Sequence, residues 1–234
     1  MDFGFILEAF PQILAAIPIT LLMVFASAII GWILGLIIAL VRKGKAPVIS
    51  QILAVFVSFM RSVPSVIVLY IAYYVMPAVI FSYGQNIGWN VDINLIPPVV
   101  YAIFALTLGQ AAYSSEVFRA AISAVDEGQM EAAYSIGMTK TQALFRIIFP
   151  QAFATAMPNL GGLFVGLVKE TSLAYYVGVY EITAIANLLS IPKLNFIEAY
   201  VMTTIIYEVL SFIFNKIFRA GENRLKRFRA NATA

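Results

Sequence analysis

The sequence predicts an all-α polytopic membrane protein, on three observations. Hydrophobic residues make up 62% of its 234 residues and charged residues 12%, and the mean hydropathy of +0.90 exceeds that of soluble globular domains. Long apolar runs recur along the chain, and basic residues collect beside alternate runs. Together these patterns indicate several membrane-crossing helices in one transmembrane domain that covers residues 1–234.

Five apolar runs are long enough to cross a hydrocarbon core of ~30 Å as helices. The residues before the first run contain no Lys or Arg, so we expect no cleaved signal peptide and a first span that stays in the mature protein. The expected spans cover approximately residues 13–41, 47–82, 96–118, 152–176 and 196–217.

Two local patterns add detail to the first two spans. Gly31 and Gly35 lie four residues apart, a spacing typical of a helix-packing face. The run 47–82 is too long for one straight span, and Pro64 is expected to kink it. Arg61 either reaches for the inner membrane interface or faces a translocation path. Arg61 and Pro64 are therefore candidate gating or structural residues.

Polar side chains within the later spans are candidates for a substrate path, because such groups are costly to expose to lipid. The alternative for Glu116 is a simple ion pair with Arg119 at the interface. Glu208, inside the fifth span, is either a functional carboxylate or a partner in an interhelix hydrogen bond. A zwitterion needs an acceptor for its ammonium and a donor for its carboxylate, and the candidate path contains both: Gln110, Tyr113, Glu116, Lys169, Glu170, Thr171 and Ser172.

Several kinds of chemistry are not expected. The chain contains no cysteine and no histidine, so it lacks thiol chemistry, the commonest metal ligand and the commonest general base. No carboxylate cluster suggests a metal site, and no GxxxxGK[ST] loop is present to bind a nucleotide. The net charge of +3 is small, so we expect no nucleic-acid partner. The sequence thus predicts neither an enzyme nor a cofactor bound by this chain.

The basic residues predict how the spans are oriented, since they collect on the cytoplasmic side of membrane proteins. With an outside N-terminus, five spans and a cytoplasmic C-terminus, the outer side receives only Lys193. The cytoplasmic side then receives twelve of the 15 Lys and Arg residues, namely Arg42, Lys43, Lys45, Arg119, Lys140, Arg146, Lys216, Arg219, Arg224, Lys226, Arg227 and Arg229.

The segment 126–151, between the third and fourth spans, falls in the cytoplasm in this arrangement. Asp126 is a candidate helix N-cap, and Gly137 is placed to end that helix in a left-handed turn. Thr139 begins a capping-box pattern that opens a second helix, which Pro150 is expected to close. The pattern predicts a short helix, a glycine corner and a second helix; the alternative is an ordinary amphipathic connector.

The same segment resembles the EAA signature of importer permeases in the ATP-binding cassette family. Phe149 stands where the family has leucine, and the matching residues are Glu131, Ala132, Ala133, Gly137, Ile147 and Pro150. Flanking residues resemble the polar amino acid branch of these permeases. They are the run from Arg61 to Pro64, the run from Tyr113 to Arg119, and Lys169-Glu170-Thr171-Ser172-Leu173, in which Glu170 replaces an aspartate.

The resemblance implies a permease subunit in a bacterial cytoplasmic membrane that moves polar amino acids, cystine among them, by alternating access. The signature residues would form a coupling helix on a separate ATPase subunit, which carries ATP and Mg²⁺. Further implied partners are a second permease copy or paralogue, an extracytoplasmic substrate-binding protein, a small amino acid and membrane lipid. Two alternatives from other classes are an ion-gradient-driven secondary transporter and a non-transporting membrane assembly subunit.

Overall fold

The structure, a computed structural model, describes residues 2–44, 46–88 and 95–232, with side chains described as far as residue 225. Lys45, one of the basic residues assigned to the cytoplasm, lies outside the described residues. The side chains of Lys226, Arg227 and Arg229 lie outside the described side chains.

The described residues are almost entirely helical. In chain order the α-helices are α1 (Phe3–Leu14), α2 (Ile17–Lys43), α3 (Pro47–Ser62), α4 (Ser65–Tyr70), α5 (Met76–Asn86), α6 (Pro98–Ser123), α7 (Gly128–Ser135), α8 (Lys140–Ala143), α9 (Phe149–Glu170), α10 (Ile182–Ser190) and α11 (Phe196–Ala232). Two π-helical turns join consecutive α-helices, Ile71–Val75 between α4 and α5 and Leu144–Ile148 between α8 and α9.

Four continuous helical stretches within the described residues are long and apolar enough to cross a membrane. They are Phe3–Lys43, Ser65–Asn86, Lys140–Val177 and Phe196–Leu225, and Pro47–Ser62 is a shorter apolar helix. These stretches support the prediction of an all-α polytopic membrane protein. The number of five spans and the orientation of the termini remain predictions.

The central helix α6 covers the third expected span but is less apolar than the four stretches. Its polar residues Gln110, Ser114 and Ser115 are buried, because α2 packs along much of the length of α6. A helix whose polar groups are covered by other helices does not need the hydropathy of a lipid-exposed one.

The two glycines of α2 form the packing face that their spacing predicts. A Cβ on Gly31 would lie 3.1 Å from the carbonyl oxygen of Thr107, and a Cβ on Gly35 would lie 2.9 Å from that of Ala111. Both contacts join α2 to the backbone of α6. The side chain of Ser114 adds a hydrogen bond of 3.3 Å to the carbonyl oxygen of Gly31. Only glycine permits this close approach of the two backbones.

The helix break expected near Pro64 is present. Helix α3 ends at Ser62, Val63 is extended with φ −85° and ψ 134°, and α4 begins at Ser65. Proline disfavours helical geometry in the residue before it and fixes its own φ, which places the break at these two residues.

Two boundary predictions in the segment 126–151 are wrong. Pro150 does not close a helix: it lies in the first turn of α9, and the π-helical turn before it continues directly into that helix. Asp126 is not the N-cap of α7, which begins at Gly128 after Glu127. The Asp126 carboxylate instead accepts a hydrogen bond of 2.7 Å from the Gly128 backbone N–H.

Other element boundaries also differ from expectation. Residues 3–14, expected to precede the first span, form α1, which packs on α10 and α11. Helix α11, which covers the fifth expected span, continues past residue 217 to Ala232. The second difference arises because the expected span ended where the apolar run ends, whereas a helix continues through polar residues that favour helical geometry.

Candidate functional site

The first candidate site is the corner formed by α7 and the turn after it. Gly137 ends α7 in the left-handed conformation, with φ +81°, as predicted. Its N–H donates to the carbonyl oxygen of Tyr134 at 2.9 Å, and the N–H of Met138 donates to that of Ala133 at 3.0 Å. These two bonds satisfy carbonyls that the end of a helix otherwise leaves unpaired. The corner therefore has a defined geometry.

The second side of the corner is fixed by the predicted capping box. The Thr139 hydroxyl accepts from the Gln142 N–H at 3.3 Å, and the Gln142 side chain accepts from the Thr139 N–H at 2.9 Å. The side-chain amide of Gln151 donates to the Gln129 side chain at 3.4 Å, which ties the start of α7 to the first turn of α9. The corner is thus held at both ends.

The signature residues of the corner divide between two faces. Ala133 is buried. Ile147 packs against a core cluster formed by the C-terminal parts of α2 and α6 and the N-terminal half of α9. Glu131, Ala132 and Pro150 are exposed. Apolar side chains next to them are exposed too: Ile136 by 73%, Phe145 by 66% and Tyr134 by 47%. These three apolar side chains lie on the surface of the segment that joins α6 to α9.

A cavity of about 480 Å³ lies behind this corner, between α7 and the end of α2. Its walls are apolar side chains such as Leu40, Ile122 and Leu144, and its rim carries Lys43 and Glu131. The cavity separates part of α7 from α2, so α7 is not packed against α2 along its whole length.

The second candidate site contains the polar residues of the spans, and the structure separates them into groups. Glu116 bonds to Arg42 at 2.5 Å and to Arg119 at 2.6 Å. The ion pair of Glu116 with Arg119, the alternative to a role in a substrate path, is therefore present, with Arg42 as an additional partner. Gln110 is buried against Gly31, and its side-chain oxygen has no hydrogen-bond partner among the residues that the structure describes. These two residues face the α2–α6 contact.

A second group surrounds the helix break at Pro64. The guanidinium of Arg61 lies 5.7 Å from the centre of the Tyr113 ring, and the Tyr113 hydroxyl donates to the Arg61 carbonyl oxygen at 3.4 Å. The Glu170 carboxyl is hydrogen-bonded to the side chain of Ser65, directly after the break. Tyr113, Ser65 and Glu170 line one narrow cleft.

The remaining polar residues follow the end of α9. Lys169 forms an ion pair with Glu208 of α11, with Nζ and Oε1 2.7 Å apart. Thr171 is fully buried and donates to the carbonyl oxygen of Val168 at 2.8 Å, whereas Ser172 donates to that of Lys169 at 2.7 Å. The run from Lys169 to Ser172 therefore sits between α4 on one side and α11 on the other.

Sequence reasoning assigned no role to Glu181, which the structure places in a buried network. Its carboxylate accepts from the N–H groups of Thr183 and Ala184, each at 2.9 Å, and from the Tyr207 hydroxyl at 2.6 Å. Tyr207 also bonds to the side chain of Thr171. The position of Glu181 directly before a helix indicates an N-cap, which the sequence alone could have suggested. Its bond to Tyr207 of α11 is evident only from the fold.

No cofactor site is evident among these residues. Within residues 2–44, 46–88 and 95–232, no group of three or more Asp or Glu side chains is placed to hold a metal ion. The chemistry that the arrangement supports is non-covalent recognition of charged groups within a membrane, together with docking at a polar corner.

The chain therefore has the build of a polytopic membrane protein, with apolar helices long enough to cross a membrane, charged side chains within them and a capped corner between α7 and α8. The model of the binding-protein-dependent transport system inner membrane component matches residues 31–227 of the chain. The chain therefore belongs to this family. It is a transport subunit rather than an enzyme.

Relatives and solved structures agree with this assignment. The chain is 41% identical over 215 residues to the probable amino-acid permease protein YxeN of Bacillus subtilis (strain 168), covering 92% of each. It is 34% identical over 226 residues to the L-cystine transport system permease protein TcyL of the same organism, covering 97% of this chain and 92% of that protein. A crystal structure of an amino acid ABC transporter with histidines matches with a TM-score of 0.80 at 29% identity, covering 96% of this chain and 99% of that one. The resemblance to amino-acid permeases of the ATP-binding cassette class is confirmed.

Proposed function

We propose that this chain is the membrane subunit of an ATP-driven importer that moves polar amino acids across the bacterial cytoplasmic membrane. The observation that carries the coupling part of the proposal is the corner at Gly137. It presents exposed Tyr134 and Ile136 beside Glu131 while Ala133 anchors α7 to the bundle. Such a surface suits a separate ATPase subunit, which would bind ATP and Mg²⁺ in place of this chain.

The corner is suited to transmit motion because it is fixed at both ends. Movement of a docked ATPase would push α7 as a unit, since Gly137 and the capping box at Thr139 define its exit. The bond between Gln129 and Gln151 links α7 to α9, and α9 carries Lys169 and Glu170 at its far end. Displacement of α7 would in this way open and close the spans alternately to the two sides.

The substrate class follows from the charges within the spans. Lys169 supplies a donor for a carboxylate, and Glu170 and Glu208 supply acceptors for an ammonium group, which are the two needs of a zwitterion. Two similar proteins are named as an amino-acid permease and an L-cystine permease, which supports a polar amino acid, cystine among them, as the cargo.

The proposal includes the arrangement of the chain and its partners. Five spans, with α6 as the third, an outside N-terminus and a cytoplasmic C-terminus put the corner on the cytoplasmic side together with most basic residues. An extracytoplasmic binding protein would deliver substrate to the opposite side. A second permease copy or a paralogue would complete the membrane part.

The substitution Gly137→Val tests the coupling. A β-branched residue at φ +81° is strained by ~1–2 kcal/mol, even though a Cβ there meets no atom of the described part of the chain within 4 Å. We expect normal membrane insertion and ATP hydrolysis by the assembled complex but a fall of roughly fivefold or more in amino acid taken up per ATP.

The matched control is Gly88→Val, which puts the same strain at φ +73° and whose Cβ meets no atom of the described residues within 4 Å, but which lies far from the corner in sequence. It should keep the ratio of uptake to ATP hydrolysis of the wild type. Normal coupling in Gly137→Val, or uptake driven by an ion gradient without any ATPase, would refute the proposal.

A further inference from the structure

The cavity between α7 and the end of α2 is separate from the surface proposed to dock an ATPase. The exposed side chains of Tyr134, Ile136 and Phe145 lie outside its walls. Its volume of about 480 Å³ falls within the range of about 300–1,000 Å³ that is typical of sites for small ligands. The cavity therefore has the size of a binding site of its own.

The apolar face of α2 leads into this cavity. Ile33 and Ile37 lie one turn apart within the first expected span and are 57% and 51% exposed. Leu40 follows on the same helical face and lines the cavity, as does Gly44 directly after the helix. An exposed apolar strip on a membrane-crossing helix borders the hydrocarbon chains of the lipid. A lipid chain beside Ile33 and Ile37 can thus continue into the cavity along an apolar surface.

The cavity combines an apolar wall with a charged rim. The wall consists of the apolar side chains Leu40, Ile122, Val125, Met130, Leu144 and Ile148. The rim carries three carboxylates and two ammonium groups, those of Asp126, Glu127, Glu131, Lys43 and Lys140. This combination matches an amphiphile with an apolar body and a head that bears charges of both signs.

Four of the charged side chains on the rim are available to such a head. Within the described part of the chain, Lys43, Lys140, Glu127 and Glu131 make no side-chain hydrogen bond or ion pair. A phosphate group would take donors from the two lysines, and an ammonium group would donate to the two glutamates. A purely anionic head would leave the glutamates without a partner and beside a like charge.

We propose that the cavity behind α7 binds one membrane phospholipid whose head carries a free ammonium group, as phosphatidylethanolamine does. An acyl chain fills the apolar part, the phosphate meets Lys43 and Lys140, and the ammonium donates to Glu127 and Glu131. The lipid supports α7 where that helix is not packed against α2. The inference rests on the proposed function in one respect, the position of this end of α2 at the cytoplasmic leaflet.

Native mass spectrometry of the purified complex of permease and ATPase tests the proposal. The complex is stripped of lipid in detergent and titrated with phosphatidylethanolamine, phosphatidylcholine or phosphatidylglycerol, each with the same two oleoyl chains. Phosphatidylethanolamine should bind roughly tenfold more tightly than the other two, because it alone combines a phosphate with an ammonium that donates hydrogen bonds. Equal affinity for the three lipids would overturn the proposal.

The double substitution Glu127→Gln with Glu131→Gln tests the contacts of the head. It should lower the affinity for phosphatidylethanolamine by roughly tenfold, to that for phosphatidylcholine, without weakening the binding of phosphatidylglycerol. Glu8→Gln, exposed in α1, is the control and should show the affinities of the wild type. A preference for phosphatidylethanolamine that survives in the double variant would contradict the assigned contacts.

The substitution Val125→Trp tests the site of the acyl chain. Val125 lines the cavity and is only partly buried, so an indole ring there occupies the space of the chain. Phosphatidylethanolamine should bind at least tenfold more weakly, whereas Val79→Trp, on an exposed position of α5, should leave its binding unchanged. Full binding by Val125→Trp would place the lipid elsewhere and refute the site. Loss of ATPase assembly in Val125→Trp, with no lipid held by the wild type, would assign the cavity to the ATPase instead.

Failure of this inference is distinguishable from failure of the proposed function, because lipid binding is measured without transport. ATP-dependent uptake of amino acids by a wild-type complex that holds no phosphatidylethanolamine contradicts the lipid site alone. Selective binding of phosphatidylethanolamine by a complex that takes up no amino acid supports the lipid site and contradicts the proposed function.

Discussion

At the scale of single residues, Glu181 shows how a buried charge can be structural. It accepts three hydrogen bonds, two from the first turn of α10 and one from Tyr207 of α11. The carboxylate therefore holds α10 against α11, beneath the exposed Lys169 and Glu208. The sequence places Glu181 at a helix start but contains nothing that pairs it with a tyrosine 26 residues further along.

Removing this acceptor should destabilise the protein strongly. Glu181→Leu leaves the N–H groups of Thr183 and Ala184 without their acceptor and removes one partner of the Tyr207 hydroxyl, and we expect a loss of about 3 kcal/mol or more in the free energy of unfolding. Glu181→Gln should lose less, because its amide oxygen can take over the bonds of one carboxylate oxygen. Thermal unfolding of the purified protein in detergent measures both. Equal midpoints for the wild type and Glu181→Leu would contradict the structural role.

At the scale of helices, breaks and turns that depend on adjacent residues were predictable. Which helices pack against each other was not. The break at Pro64 and the left-handed turn at Gly137 depend on a few adjacent residues, so sequence alone located them. The glycine face of α2 was visible as a spacing, but its packing partner α6 required the fold. The prediction for Pro150 failed because a π-helical turn placed it at the start of a helix rather than at its end.

The close contact between α2 and α6 predicts that a methyl group added at Gly35 destabilises the protein, and the same substitution at Gly166 serves as the control. Gly35→Ala would place a methyl group against Ser114 and 2.9 Å from the Ala111 carbonyl oxygen, so the helices must separate. We expect a destabilisation of ~1–3 kcal/mol. Gly166→Ala, in α9, meets nothing within 4 Å and should be neutral or slightly stabilising. Unfolding in detergent distinguishes the two, and equal stability of the two variants would contradict the packing described.

At the scale of the whole molecule, the bundle joins the corner at Gly137 to the charged residues at the end of α9. Helix α9 begins beside the corner and ends at Lys169 and Glu170, so one helix connects both. Composition and hydropathy were sufficient to predict an all-α polytopic membrane protein. The division of the polar residues into an Arg42–Glu116 cluster, a cleft at Ser65 and an exposed Lys169–Glu208 pair was not predictable, because it depends on which helices are neighbours.

The central claim is that the exposed corner docks a separate ATPase on the cytoplasmic side, and cysteine cross-linking tests it most directly. The chain contains no cysteine, so a single introduced thiol reports one position. Ile136→Cys, at the exposed end of α7, should cross-link to the ATPase that assembles with this chain, and Leu7→Cys, equally exposed in α1, should not. Cross-linking from Leu7→Cys, or none from Ile136→Cys in an assembled complex, would contradict the account.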